Sequence, residues 1–253
     1  MHIDLAHTGD SVGIAMAHVP YFVDREEVDT NTKEVEFVQS AVVKVDFWGK
    51  IRASKRQEIV LADIREIVYD LSRRGFYFGL ITFDRFQSLD SLQILRRYGY
   101  VAGHFSVDRT TNYLEVNYDT ESELGYVKKS TEGNTNAAHV VLRDLIYDDR
   151  LLLPDSKKWY DIDYLEEEIK NAQETKTGKV DHPPSGSIDV EQAVAGSCTH
   201  CVINEKMLKL SPVEEDSERY ADKFYKTAED GIKNKLLTSD IDGYSPLDPR
   251  NIK

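Results

Sequence analysis

His2-Ile-Asp-Leu-Ala-His-Thr-Gly-Asp-Ser-Val-Gly-Ile-Ala-Met-Ala-His-Val19 decides the fold. Two apolar runs, His2–His7 and Val12–Val19, flank Thr8-Gly9-Asp10-Ser11, whose residue types favour a turn, so the stretch reads as a β-hairpin. Asp4 lies inside the first run, between Ile3 and Leu5. A carboxylate at a buried strand position is costly unless something compensates its charge. A divalent cation shared with other carboxylates would do so.

The rest of the chain supplies two further aspartates in comparable positions. After an acidic stretch at Asp24–Glu34, Val35–Trp48 reads as a third strand. Arg56–Ser72 repeats Val60, Ile64, Ile67, Val68 and Leu71 at helical spacing, with Gly75 as its stop. Phe76–Phe83 is almost continuously apolar, as in a strand covered on both faces, and Asp84 closes it. A short helix at Ser88–Arg97 and a strand at Tyr100–Val107 follow. The segment 108–136 is polar and reads as loop. His139–Tyr147 reads as a helix, Leu151–Leu153 as a short strand or extended piece, and Asp161–Gln173 as a helix. In that last helix Ile162, Leu165, Ile169 and Ala172 share one face. A polar loop at Glu174–Ser187 then leads into a small-residue helix opening at Asp189.

The order of elements has a geometric consequence. Three hairpin-connected strands form an antiparallel meander. The strand after the long helix joins by a right-handed crossover at the free edge beside the first strand. The strands of Asp4 and Asp84 then run parallel, about 4.8 Å apart, with both carboxylates toward the end where open α/β sheets carry their sites. Ala193, Ala195 and Gly196 allow the last helix to approach closely and deliver Asp189. The expected fold is α/β: an RNase H-like mixed five-stranded sheet, three strands antiparallel and the rest parallel, flanked by helices. It occupies residues 1–200, and a charged C-terminal appendage with a helix near Glu214–Leu236 occupies 201–253.

Composition bounds the possibilities. The chain has 253 residues, 40% of them hydrophobic, and no apolar run near the length of about 18–20 residues that spans a membrane. Cys198 and Cys201 are its two cysteines, which reads as a reducing, intracellular setting rather than a disulfide scaffold. The net charge of −13 argues against nucleic-acid binding by charge alone. Acidic metal sites contribute to such a total, and local distribution outweighs it. Lys50, Arg52, Lys55 and Arg56 are the candidates for contacts with a phosphate backbone. Arg73-Arg74 and Arg96-Arg97 are also explained as cations placed at helix C-termini.

His2–Met16, Thr82-Phe-Asp-Arg-Phe-Gln-Ser-Leu-Asp-Ser91 and Lys179-Val-Asp-His-Pro-Pro-Ser-Gly-Ser-Ile-Asp-Val-Glu-Gln-Ala-Val-Ala-Gly196 together resemble the C-terminal nuclease domain of tailed-bacteriophage terminase large subunits. The resemblance spans about residues 1–200. It implies an RNase H-like domain that cuts concatemeric viral DNA during genome packaging, using Mg²⁺ or Mn²⁺ on acidic residues. Carried over, the family's first, second and third acidic positions fall on Asp4, Asp84 and Asp189. Relatives tend to carry a further acid three positions after the last. This chain has Gln192 there, which leaves Glu191 as the reserve ligand and puts a second ion in question. The implied partners are double-stranded DNA, the ATPase motor domain of the full-length protein, the portal and the small terminase subunit. The implied location is the host cytoplasm and, transiently, the procapsid portal, with no place in the mature virion.

This chain has no G-x-x-x-x-G-K-[ST] loop, so no ATPase activity is expected of it. It also begins at the edge of a core strand, and the two features together read as a domain excised from a larger protein. In the expected chemistry, two cations roughly 3.5–4 Å apart clamp the attacking and leaving oxygens of a phosphodiester. Asp4 would bridge them, with Asp84 on one and Asp189 on the other. Each aspartate also has a plain reading: Asp4 satisfied by a helix N-terminus, Asp84 capping the next helix, and Asp189 a first-turn acid favoured by the dipole. Cys198-Thr-His-Cys201 resembles half a zinc site but has no second pair. The rival functions are a non-catalytic docking module of the packaging machine and a related RNase H-fold nuclease such as a junction resolvase.

Overall fold

A computed structural model describes residues 1–5, 11–28, 32–52, 59–84, 88–107, 111–118, 125–134, 137–154, 162–176, 180–183 and 186–204. The chain divides into two compact units, Met1–Ser211 and Pro212–Lys253; the second, with the helix expected near Glu214–Leu236, lies outside the described residues.

The protein is α/β. Strands β1 (His2–Asp4), β2 (Ser11–Val28) and β3 (Val35–Arg52) form the antiparallel meander. Helix α1 (Leu61–Arg73) leads to β4 (Ile81–Phe83), which pairs parallel with β1, His2 beside Thr82 and Ile3 beside Phe83. Helix α2 (Leu89–Arg97) leads to β5 (Ala102–His104), parallel to β4. Gly75 at φ +93° and Gly99 at φ +89° follow these two helices, a backbone region open to glycine, and give each helix its stop.

The sheet has six strands rather than the expected five. Leu151–Leu152, labelled β8, pairs parallel with β3 as the outer strand, giving the order β5-β4-β1-β2-β3-β8. Two residues are too few to show a period, which is why the sequence left this piece open between strand and extended chain. The segment 108–136, expected as loop, contains an antiparallel hairpin of β6 (Thr111–Tyr118) and β7 (Gly125–Asn134). Leu114, Val116 and Tyr118 do alternate with Glu115 and Asn117, but the polar surroundings outweighed that short signal. The expected loop 174–187 likewise holds part of a small two-stranded sheet, β9 (Gln173–Glu174) with β10 (Val180–Asp181).

Helices α3 (Ala137–Tyr147), α4 (Ile162–Asn171) and α5 (Asp189–Ile203) complete the description. Alternation along β2 separates two cores. Val12, Ile14 and Met16 face a cluster that includes Ile64 and Val68 of α1 and Leu92 and Leu95 of α2. Ala15, with Val43, Val45 and Trp48 of β3, faces Leu142 and Leu145 of α3, Leu165 of α4 and Val190, Ala193 and Val194 of α5. The sheet is therefore covered on both faces, α1 and α2 on one and α3, α4 and α5 on the other. Proline is tolerated in a strand where the ladder is interrupted, and Pro20 sits at the register shift between His18 and Tyr21. Among the described residues no helix is long and apolar enough to cross a membrane.

Candidate functional site

One row of residues crosses the sheet where α5 begins. Asp4 of β1 pairs with Gly13 of β2, and Gly13 pairs with Lys50 of β3. On the other side of β1, the Asp84 backbone N–H donates to the Ile3 carbonyl at 3.1 Å, so the parallel register carries on to set Asp84 beside Asp4. Directly paired residues project from the same face of a sheet. For this row it is the α5 face, because a Cβ built on Gly13 would overlap the carbonyl of Asp189. Ile3 and Leu5, the neighbours of Asp4, belong to the core on the opposite face. The close approach expected of the small-residue helix is present at its start and its middle: Gly13 lies under Asp189, and Gly196 lies against the ring of His2.

Asp4 and Asp189 are both buried, and Asp84 is partly buried. The Asp189 carboxylate is held by two groups. Lys50 Nζ lies 2.9 Å from its Oδ2, and Ser187 Oγ donates to the same oxygen at 2.8 Å. Lys50 also reaches Glu168 Oε1 at 3.3 Å, bonds Ser187 Oγ, and stands 5.3 Å from the centre of the Tyr164 ring. Burial pulls the pKa of this ammonium down. Hydrogen bonding to Tyr164 and Asp189, with the attraction of Asp189 and Glu168, outweighs burial and holds the pKa above the ordinary lysine value.

Glu168 of α4 fixes the start of α5. Its Oε2 accepts the backbone N–H of Val190 at 2.8 Å and of Glu191 at 3.0 Å, satisfying two of the donors a helix N-terminus leaves open. An anion there is further favoured by the helix dipole. Glu191, the reserve ligand, is buried and accepts from His139 Nδ1 of α3 at 2.9 Å. Glu168 and His139 did not figure in the sequence reading. The signal was available: Glu168 falls three residues after Leu165 and His139 three before Leu142, so both sit on the apolar stripes of their helices.

Among the described residues no group of three or more His, Cys, Asp or Glu side chains is drawn together closely enough to hold a metal ion. The carboxylates of Asp4, Asp84, Asp189 and Glu191 form no such group, and only their donor type suits a hard divalent cation. It is all oxygen, as Mg²⁺ prefers. The buried Oδ1 of Asp84 and Oε2 of Glu191 have no hydrogen-bond partner among the described residues. A buried acceptor without a donor is a place where a cation removes a cost.

The expected phosphate contacts divide. The Lys50 ammonium is turned inward onto Asp189 and Glu168, because two buried carboxylates attract it more than open solvent does. Arg52 is exposed at the end of β3; Lys55 and Arg56 lie outside the described residues. Arg73, Arg96 and Arg97 occupy last helical turns, as the dipole favours. His182 is bound locally, its Nδ1 on the Pro183 carbonyl at 2.7 Å. No family model matches the chain, and neither a curated protein nor a solved structure is significantly similar to it.

Proposed function

We propose that this chain is a metal-dependent DNA endonuclease of RNase H-like fold, acting in the packaging of a viral genome. The observation that carries the reading is the cross-sheet row that sets Asp84 beside Asp4, on the same face as Gly13 and the Asp189 backbone above it. Asp4 and Asp84 are the groups that would hold Mg²⁺ or Mn²⁺, with Asp189 the third and Glu191 the reserve. Bound there, such ions would supply Lewis acidity to neutralise a phosphodiester, activate water and stabilise the leaving oxygen. The chain's own residues fix the positions: β1 and β4 hold two carboxylates in register, and Glu168 with Gly13 seats the helix that carries the third.

The resemblance of the three sequence blocks to terminase nuclease domains supplies the narrower proposal. In it the substrate is concatemeric double-stranded DNA, and the partners are an ATPase motor domain, a portal and a small terminase subunit. The place of action is the host cytoplasm, at the procapsid portal. Cleavage of supercoiled plasmid with Mn²⁺, Mg²⁺ or EDTA tests it, comparing the wild-type chain with Asp84→Ala. The expected result is metal-dependent nicking lost in the variant. A folded protein that neither cuts nor gains thermal stability with metal contradicts it.

One observation favours a second reading. Lys50 already neutralises Asp189, as in a site that has given up its metal, and this suits a non-catalytic docking module of the same machine. That module would show no thermal shift with Mn²⁺ at all.

A further inference from the structure

Beyond the six-stranded sheet, β2 and β3 run on together as a two-stranded ribbon. β1 pairs with residues 13–15 of β2 and β8 with residues 43–44 of β3, so 21–28 and 35–42 have no third strand beside them among the described residues. At the rise of an extended strand this ribbon is about 24 Å long. Two strands alone are marginally stable, and Arg25 ties this pair to Asp148, just after α3, at 2.8 Å. Directly paired residues share a face. Val28 pairs with Val35, and Phe37, two residues further along β3, pairs with Glu26. One face of the distal half therefore carries Val28, Val35 and Phe37, with Phe37 74% exposed and each valine 53%. On the reverse face Glu27 pairs with Glu36, and like charges directly opposite are destabilising. Asp24, Glu26, Glu27 and Glu36 have no ion-pair partner among the described residues.

We propose that this distal ribbon is a docking arm received by a recess on a basic partner protein, apolar against Phe37 and lined by lysine or arginine opposite the acids. A buried aromatic anchor is the commonest source of binding energy at an interface. The acids around Phe37 set the sign of the charge that fits beside it. Nucleic acid and anionic lipid are repelled by those same acids. A second copy of this chain brings the same acids, so like charge opposes like. The repulsion between Glu27 and Glu36 weakens the free ribbon, and a cationic group placed against the two relieves it. The inference goes beyond the nuclease reading and does not rest on it.

The test uses a fluorescein-labelled amphipathic peptide of leucine and lysine as the probe, with a leucine–glutamate peptide of equal length as control. Fluorescence anisotropy with the full chain should show binding of the lysine peptide and none of the glutamate peptide. Phe37→Ser and Glu36→Lys should each weaken that binding about tenfold, the scale of losing one interface anchor. Glu167→Lys, at an exposed position of α4, should leave it unchanged. Glu36→Lys should also slow amide hydrogen exchange along the ribbon, because it turns a repulsive cross-strand pair into an attractive one. That readout separates lost docking from lost folding. No binding of the lysine peptide, or binding that Phe37→Ser and Glu36→Lys weaken no more than Glu167→Lys does, overturns the proposal. Tighter binding of a double-stranded DNA fragment or of anionic vesicles, sensitive to Phe37→Ser, also overturns it. A concentration-dependent dimer lost in Phe37→Ser would assign the face to a second copy and overturn it too.

Discussion

Replacing Gly13 with alanine probes the contact on which the site depends. A Cβ at this position would lie 2.5 Å from the carbonyl carbon of Asp189, against 3.4 Å or more in an ordinary contact. The obstacle is backbone rather than the end of a flexible side chain, so the first turn of α5 must retreat by about 1 Å. A retreat of that size takes the Glu168 bonds to Val190 and Glu191, now 2.8 and 3.0 Å, to the limit of hydrogen bonding or beyond. Overpacking of this kind costs about 1–3 kcal/mol, and each weakened bond to a charged acceptor adds up to about 1.5–3 kcal/mol. A net loss of about 3 kcal/mol is expected, which lowers Tm by about 6–12 °C in a protein of this size. Gly49→Ala is the control, since nothing lies within 4 Å of its added Cβ. It should be neutral, or stabilising by about 0.4–1 kcal/mol through the unfolded chain. Thermal and urea unfolding of the two variants beside the wild-type chain give the comparison. If Gly13→Ala melts within about 2 °C of Gly49→Ala, less than 1 kcal/mol, the close seating of α5 on β2 is wrong, and with it the placement of Asp189.

Glu168→Ala leaves two helix N–H groups and a partly buried lysine short of their acceptor; a loss of about 3–5 kcal/mol is expected by urea unfolding. Glu168→Gln keeps an acceptor and should lose less, and equal losses would contradict the capping role. His200 is buried with Nδ1 donating to the Gly196 carbonyl, and burial holds its pKa down at about 3. Because the folded value lies below the unfolded one of about 6.5, its full stability is present above that pH. It is lost on acidification between the two values, at up to about 1.4 kcal/mol per pH unit. His200→Gln should flatten the stability profile between pH 5 and 6.5 by roughly that slope; an unchanged slope would count against the buried neutral imidazole. Burial also raises the Cys198 thiol well above its usual range and Cys201 to about 11, so both are protonated at neutral pH. Ellman's reagent should titrate them only after denaturation, and Zn²⁺ should not bind at Cys198-Thr-His-Cys201; rapid labelling of the native protein would refute this.

The part of the fold legible in the sequence was the part written in element order. A meander followed by a crossover has one free edge beside its first strand, and β4 lies there. What stayed hidden was either too short to show a period, as with Leu151–Leu152, or a brief alternation set among polar residues, as with Leu114, Val116 and Tyr118. The site divides along similar lines. Asp4 and Asp84 stood out as charges bounding apolar strands, and the register brings their positions together. Lys50 stands near Arg52, Lys55 and Arg56 in the sequence, which groups it with them as a candidate phosphate contact. Strand alternation places it with Trp48 on the face that α5 covers, and the buried acids there take its charge. Glu168 and His139 are polar residues on helices, where solvent is the usual environment, and only their spacing from Leu165 and Leu142 marks them as inward-facing.

Anomalous scattering from crystals of this chain soaked in MnCl₂ would show whether a divalent cation is held between carboxylates of β1 and β4. The expected result is a peak bonded to carboxylate oxygens of both Asp4 and Asp84 at about 2.1–2.2 Å, absent from crystals of Asp84→Ala. A well-ordered Asp4–Asp84 pair with no peak between them, or with Mn²⁺ bound only elsewhere, would contradict it.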